Sequence, residues 1–462
     1  MVGERRVEIL IVGGGASGTL LAIQLLRHAA GPLRVAWIDE AGSFARGLAY
    51  GAAEPFHVLN VPALRMSAFP DRPRHLLEWC SRAGIPAAPG DFLPRRTYGS
   101  YLEETLEEAE RGAAPSVSLV RRRARMRRIL RAGEEWEARF DLGAAIRARH
   151  VVLACGNFPS AVPSCVDPAA LESVLSPWDG AALDRLPRDA DLLLLGCGLT
   201  MVDAVLSLRA RGHRGRLLAL SRHGLLPRLH AADALGSHAA FTPPAQATLR
   251  ELVRAVRARI AEAPDGWHGV LDALRPHVPV LWQSLSPRDR RRFLRHVRAF
   301  WEVHRHRLPP GPAAAIGRLL ERGTLEVRAG RLVRVASAPG GIEVRWHPRG
   351  DPRERTDRFA ALINCTGPAV AVRHVPLLQA LIEDGVARRD PLGLGLATIG
   401  GVVARAERGE GRILAIGPLR RGELFETTAI PEIRVQAEEL ALGLLRLLRA
   451  ERADAPEAHP LL

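Results

Sequence analysis

The chain has 462 residues, 47% of them hydrophobic and 25% charged. That is the composition of a globular protein with material for two or three domains rather than one core. All 65 residues in the Lys+Arg count are arginine, and the formal net charge is +15. Without lysine there is no Schiff-base enzyme and no P-loop of the G-x-x-x-x-G-K-[ST] kind, and arginine is not a proton-transfer base at ordinary pH. The charge raises the question of a nucleic-acid or acidic-membrane partner, which the placement of the arginines has to answer. The five cysteines, Cys80, Cys155, Cys165, Cys197 and Cys365, form no C-x-x-C pair and no zinc spacing. Their odd number argues against a disulfide framework, so a reducing cytoplasm is the expected setting.

Ile9–Leu26 carries no formal charge over 18 residues, close to the length of a membrane span. Gly13, Gly14, Gly15 and Gly18 interrupt it in a pattern with another meaning. Val7–Val12 predicts a buried strand and Thr19–His28 an apolar helix, with GGGASG between them. Gly13, Gly15 and Gly18 fill the G-x-G-x-x-G template: tight turn, close approach to a pyrophosphate, close helix–strand packing. Ala16 and Ser17 complete the turn, and the helix N-terminus directs free N–H groups at phosphates. A second strand, Leu33–Ile38, ends in Asp39, placed to accept hydrogen bonds from a ribose diol.

Arg121, Arg122, Arg123, Arg125, Arg127, Arg128 and Arg131 form the densest basic run. No aromatic residues interleave them for base stacking, so a solvated face of a small β-meander is expected rather than a nucleic-acid surface. Val151–Gly156 then reads as an apolar strand running into a small-residue turn. The dinucleotide pattern returns at Asp191–Met201, with Gly196, Gly198 and Thr200 in the turn and Met201 in the place of the third glycine. Its second strand, Arg216–Leu220, leads into Ser221-Arg222-His223 instead of an acid; Arg222 suits a 2′-phosphate, hence NADPH. Strand-like pieces over Leu325–Trp346 and a strand into the turn at Gly367 close this copy as Gly156 closes the first, which marks an internal duplication. Three of the cysteines sit in these glycine turns, where a small apolar side chain fits.

Between the halves of the second copy, residues 229–312 predict a helical insertion. Ser286-Pro287-Arg288-Asp289 is a helix start. Phe293, Leu294, Val297, Phe300 and Trp301 follow at helical spacing, opposite Arg290, Arg291, Arg295 and Arg298. His304, Arg305 and Arg307 are candidates for binding an anionic substrate, or simply a polar helix end. Near the C-terminus a strand ends at Gly417, and a helix begins near Pro431, with Thr427 or Thr428 as capping candidates. Its N-terminus would stabilise negative charge on a group bound beside it.

RGLAYG (46–51), FHVLNVPALRMSAFPDRP (56–73), LLLLGCGLTMVDAVLSL (192–208) and IGPLRRGELFETTAIPEIRVQA (416–437) resemble the bacterial FAD/NAD(P)-binding flavoprotein family. That family includes uncharacterised flavoproteins, FAD-dependent urate hydroxylases and amino-acid N-monooxygenases of the aspartate-to-nitrosuccinate type. The resemblance implies an α/β fold with two Rossmann-like dinucleotide-binding domains. A discontinuous FAD domain would span 1–165 and 356–462, an NADPH domain 187–228 and 313–355, and the insertion 229–312. It places residues 46–69 on the flavin side, with Asn60 as a contact. The function implied is an NADPH-dependent flavin monooxygenase that uses O2 to hydroxylate a small polar or anionic nitrogenous substrate. A reductase or dehydrogenase with a non-oxygen acceptor, or a non-enzymatic dinucleotide-binding flavoprotein, is the alternative. No metal site, nucleic-acid partner or membrane partner is expected, and no catalytic side chain is assigned.

Overall fold

The computed structural model describes residues 5–231, 235, 241–244, 246–263, 266–368, 372, 375–403 and 411–454. By contact the chain forms two units: Met1–Ala53, Ala63–Phe158 and Val370–Leu462 make the first, Glu54–Pro62 and Pro159–Ala369 the second.

Unit 1 begins β1 (Arg5–Val12), α1 (Ala16–His28), β2 (Leu33–Asp39), α2 (Gly47–Gly51), α3 (His75–Arg82) and α4 (Arg95–Arg111). It continues with β3 (Val117–Arg123), β4 (Met126–Ala132), β5 (Glu135–Phe140) and β6 (Ile146–Leu153). The sheet order is β3-β2-β1-β6-β5-β4, parallel from β3 to β6 and antiparallel beyond. Ile9, Leu10 and Ile11 are fully buried in succession, as a central parallel strand covered on both faces requires. Every residue of α1 from Ser17 to Leu26 is buried, against α4 and the C-terminal helix among others. The charge-free run at Ile9–Leu26 is therefore a strand, a turn and a helix enclosed by protein. No described helix is long and apolar enough to cross a membrane.

Unit 2 repeats the plan. It contains β7 (Val174–Leu175), α5 (Gly180–Asp184), β8 (Leu192–Leu195), α6 (Leu199–Ala210) and β9 (Leu217–Ser221). Helices α7 (Leu249–Glu262), α8 (Trp267–Leu274), α9 (Val278–Ser284), α10 (Pro287–Arg292), α11 (Arg298–Arg305) and α12 (Pro310–Glu321) follow. Then come β10 (Leu325–Ala338), β11 (Gly341–Pro348), β12 (Arg355–Phe359) and β13 (Ala361–Asn364), and the sheet order is β12-β11-β10-β9-β8-β13-β7. In the first copy the antiparallel hairpin hangs from β6; in the second it hangs from β10, whose first half is parallel to β9 and whose second half pairs with β11. The chain then returns to unit 1 with α13 (Pro376–Glu383), β14 (Ile413–Ala415), α14 (Arg421–Leu424) and α15 (Ile430–Ala453). β14 pairs in parallel with the C-terminal half of β6.

Four expectations change. The return to the first unit, expected at 356, comes later, because β13 pairs with β8 and belongs to the second sheet. The Glu54–Pro62 segment also groups with unit 2. Arg121, Arg122 and Arg123 stand on β3, the edge of the parallel sheet, and only Arg127, Arg128 and Arg131 stand on the meander strand β4. Several have local partners, such as Glu110 for Arg121 and Glu40 for Arg125. In the insertion, Ser286 caps α10 as expected, accepting from Asp289 N (3.1 Å). Phe293–Val297, however, is a π-helical turn. One extra residue per turn rotates the stripe by about 100°, and Phe300 is left 47% exposed. Residues 232–234, 236–240, 245 and 264–265 of the expected insertion lie outside the described residues.

Candidate dinucleotide sites

The first site is the turn from β1 into α1. Gly13 has φ +116°, and a methyl group there would stand 2.4 Å from the Ala154 carbonyl oxygen. At Gly18 it would stand 2.2 Å from the Gly13 carbonyl oxygen, so α1 can approach the strand only because that residue is glycine. Gly15 is the N-cap of α1, has no side-chain cap, and meets only Gly47 Cα at 3.9 Å. The first turn, at Ala16, Ser17 and Gly18, is thus uncapped beside the room at Gly15, an arrangement that would suit a pyrophosphate. Asp39 is at the end of β2, where expected, and it also holds the loop. Its carboxylate accepts from Gly14 N (2.8 Å) and Ser43 N (3.1 Å).

Several residues that support this loop were not legible locally. Trp37 Nε1 donates to the Gly13 carbonyl (2.8 Å). Gly47, which opens α2, approaches Gly15 so closely that a methyl group on it would be 2.8 Å from Gly15 Cα. Gly417, with φ +71°, presses on the first turn of α1: its Cβ position lies 2.7 Å from Ser17 Oγ. Gln436 in α15 accepts from Gly417 N (3.1 Å) and donates to Thr427 Oγ1 (2.8 Å), and Thr427 donates to the Gly417 carbonyl (2.9 Å). Neither Thr427 nor Thr428 caps α15. The N-cap is Ala429, with no side-chain bond, and Thr427 is spent on Gly417 while Thr428 is half-buried just upstream. Gln436→Ala strands the buried Gly417 N–H and removes a donor to Thr427 Oγ1, so it is expected to cost about 1–3 kcal/mol. A denaturant midpoint equal to that of the parent would show that the Gly417 turn is held by other contacts.

The second site reproduces the first. Gly196 has φ +114°, and a methyl group there would stand 2.4 Å from the Cys365 carbonyl oxygen. Gly13 N and Gly196 N each donate, at 2.8 Å, to the carbonyl of the neighbouring strand, Ile38 and Leu220. Gly198 is the uncapped N-cap of α6 with nothing within 4 Å of a Cβ, and Thr200 lies in the first turn. Met201, in the place of Gly18, is fully buried in the core. The closing turns match as well: Gly156 and Gly367 have φ +66° and +83°, each with open space around its Cβ position.

Beyond β9 lies the exposed Arg222, the residue expected to read a cofactor phosphate. His223 Nδ1 accepts from Arg349 Nη1 (2.9 Å). Partial burial, Arg349 and Arg222 together lower the imidazole's pKa, keeping it neutral. Arg349 is 126 residues from His223, so a second guanidinium at this strand end was beyond local reading.

The expected substrate cluster is largely satisfied internally. Arg307 is 4% exposed, paired with Asp272 (2.6 Å) and set over Trp267. His304 Nδ1 is bonded to the Phe300 carbonyl (2.7 Å), and Arg305 is buried. A buried ion pair that is already formed leaves Arg307 little to offer an anion. Asn60, expected beside the flavin, belongs to unit 2: its carbonyl accepts from His230 Nε2 (3.1 Å). His57 fixes the same segment, accepting from Glu54 N (3.1 Å) and bonding Ser207 Oγ (3.0 Å). Among the cysteines, burial pushes the Cys155 thiol up to about 12 and Cys365 higher still, so both stay protonated.

Residues 10–158 match the profile of the FAD-NAD(P)-binding family. No curated protein matches the sequence. Among solved structures the chain is similar to the reduced form of the ornithine hydroxylase PvdA from Pseudomonas aeruginosa: 16% identity, TM-score 0.66, 96% of this chain and 99% of that one. It is similar to the Kutzneria sp. 744 ornithine N-hydroxylase KtzI, solved with reduced FAD, NADP+ and L-ornithine: 15%, TM-score 0.65, 96% and 99%. The FAD-bound cadaverine monooxygenase DfoA from Erwinia amylovora gives 15%, TM-score 0.66, and 99% of both chains. At these identities the likeness is one of fold. Residues 10–158 thus match the FAD-NAD(P)-binding model, and the whole chain has the fold of these neighbours, with two dinucleotide-type turns on two parallel-rich sheets.

Proposed function

We propose that the protein is an NADPH-dependent flavin monooxygenase acting on a small polar nitrogenous substrate. The observation that carries this reading is the pair of matching cradles, at Gly13–Gly18 and Gly196–Gly198, ending in a carboxylate at Asp39 and an arginine at Arg222. The first α1 turn would hold the FAD pyrophosphate and Asp39 the ribose; the α6 turn and Arg222 would hold NADPH. When bound, the flavin supplies hydride acceptance and O2 activation, chemistry that no side chain here can supply. The protein's part is to bind and orient. The uncapped N-terminus of α15, after Thr428, offers its positive end to unit 1. The similar folds named for ornithine and cadaverine support a nitrogen-bearing substrate, whereas the occupied state of Arg307 weakens the expectation of an anionic one.

The test is purified protein with FAD and NADPH, followed for O2 uptake and NADPH oxidation over a panel of amines, amino acids and purines. Substrate-dependent oxygen insertion supports the reading. Anaerobic turnover with a quinone and no oxygenated product would replace it with the reductase alternative, and a chain that cannot retain FAD would end it. At the second site Arg222→Ala is expected to weaken NADPH by about 1.5 kcal/mol, roughly tenfold, and NADH little. Arg349→Ala is expected to act in the same direction. Equal loss for both nucleotides would refute a phosphate-reading role.

A further inference from the structure

Tyr50, Tyr98 and Tyr101 are the only three tyrosines in the chain, and they form one series of tilted ring contacts. Ring centres are 4.8 Å apart for Tyr50–Tyr98 and 5.4 Å for Tyr98–Tyr101. Trp79 continues the series 5.6 Å from Tyr101. One end lies at the nucleotide loop, because Tyr50 is on the short helix α2, whose Gly47 abuts Gly15. The other end reaches the surface, where Trp79 Nε1 donates to Oε2 of the exposed Glu104 (2.8 Å). In the middle, the Tyr101 hydroxyl accepts from Ala68 N (2.9 Å) and shares its own proton with His75 Nδ1 (2.8 Å).

We propose that Tyr50, Tyr98, Tyr101 and Trp79 form a one-electron relay from the Gly15–Gly47 loop to the Glu104 surface, with Tyr101 and His75 as its proton-coupled donor. A phenol gives up an electron easily only if its proton has somewhere to go, and a neutral imidazole on the hydroxyl provides that place. Burial holds the His75 pKa down to about 4, so the base is free at neutral pH. Among the described residues the buried Tyr98 hydroxyl has no hydrogen-bond partner, so Tyr98 serves as packed aromatic bridge and not as a stop. The relay's task follows from the proposed reaction with O2: it removes damage that an oxygen-derived oxidant of the hydroxyl-radical class would do at the loop in an unproductive turnover. That oxidant gains one electron. Tyr101 loses one electron and its O–H proton, which passes to His75 Nδ1, leaving a neutral phenoxyl and an imidazolium. Trp79 then returns an electron to Tyr101, the proton comes back from His75, and the indole N–H proton moves to Glu104. A soluble thiol restores Trp79 by giving one hydrogen atom, and Glu104 releases its proton to solvent.

The donor pair is tested on the full chain with a photogenerated ruthenium(III) polypyridyl oxidant, read by transient absorption and by electron paramagnetic resonance with deuterated tyrosine. The parent is expected to give a phenoxyl signal that is lost in Tyr101→Phe, slowed in His75→Gln and unchanged in Tyr98→Phe. A signal that persists in Tyr101→Phe, or that disappears in Tyr98→Phe, would overturn the assignment. Tyr101→Phe keeps the ring in place, and its circular dichroism separates misfolding from loss of the donor. The loop connection is read by peptide mass spectrometry after NADPH turnover without substrate. Oxidation of the Tyr50 peptide should rise several-fold in Tyr101→Phe; an equal level would refute the connection. A chain that does not turn over with NADPH defeats the proposed function but leaves the ruthenium result to decide the relay.

Discussion

Gly13→Ala is expected to yield a colourless protein that no longer retains FAD, while Gly196→Ala remains yellow but is no longer reduced by NADPH. Both positions combine two penalties. The backbone angles, +116° and +114°, lie where an L side chain is strained, at about 1–3 kcal/mol. The added methyl group would also stand 2.4 Å from a carbonyl oxygen of Ala154 or Cys365, which is backbone and cannot swing aside. Relief therefore means moving the loop, and with it the uncapped helix turn that would face the phosphates of a bound dinucleotide. Even the lower part of that range corresponds to about tenfold in affinity. Gly133→Ala serves as the control, since it has φ +64° but nothing within 4 Å of its Cβ position and lies in the β4–β5 turn. It should lose some stability and none of the flavin. If Gly196→Ala lost flavin and Gly13→Ala kept it, the assignment of the two cradles would be reversed.

Acid is expected to unfold the protein in a window set by buried histidines. Burial holds the pKa of His75 at about 4, His230 at about 4 and His150 at about 3, against an ordinary value near 6.5. His150 is fully buried and its Nδ1 accepts from Arg412 N (3.1 Å), a bond that exists only for the neutral ring with its proton on Nε2. Glu451, 3.5 Å from Nε2, is shared with Arg149 and does not offset the burial. Between the two pKa values the unfolded chain binds a proton that the folded chain refuses, so stability falls as pH falls. The contribution is complete above about pH 6.5 and is lost progressively toward pH 4 and 3, at roughly 2 kcal/mol per histidine by pH 5. Lowered carboxylates such as Glu423 and Glu8 add losses only below their own ordinary range. Denaturant midpoints at pH 7.5 and pH 5 measure the slope. His150→Asn should flatten it by about one histidine's share, and a slope unchanged by that substitution would rule out the buried-imidazole account.

Much of the architecture was legible because its determinants are local. The turn at Gly13–Gly18, its twin at Gly196–Gly198, the acid at Asp39 and the closing glycines Gly156 and Gly367 are short patterns whose backbone requirements can be read from a few residues. The helix start at Ser286 was readable for the same reason. The supports of the site were not: Trp37 reaches Gly13 across 24 positions, Gln436 reaches Gly417 across 19, and Arg349 reaches His223 across 126. Those partners carry no motif of their own. The π-turn at Phe293–Val297 also escaped, since a helical stripe looks the same whether or not one extra residue shifts its face.

By itself the sequence determined that this lysine-free chain carries two dinucleotide turns, in the same order and each followed by a strand that closes its sheet. Steric limits on the backbone make glycine the residue such turns demand, so the pattern survives without knowledge of the fold. Only the tertiary structure decided where the charge goes. It placed Arg121–Arg123 on a sheet edge, committed Arg307 to Asp272, and brought Arg349 beside His223. It also carried Glu54–Pro62 into the second unit, gathered the three tyrosines into one cluster and set an imidazole on Tyr101. Ion pairs, buried polar contacts and aromatic stacks depend on which distant segments meet, and that is a property of packing rather than of spacing along the chain.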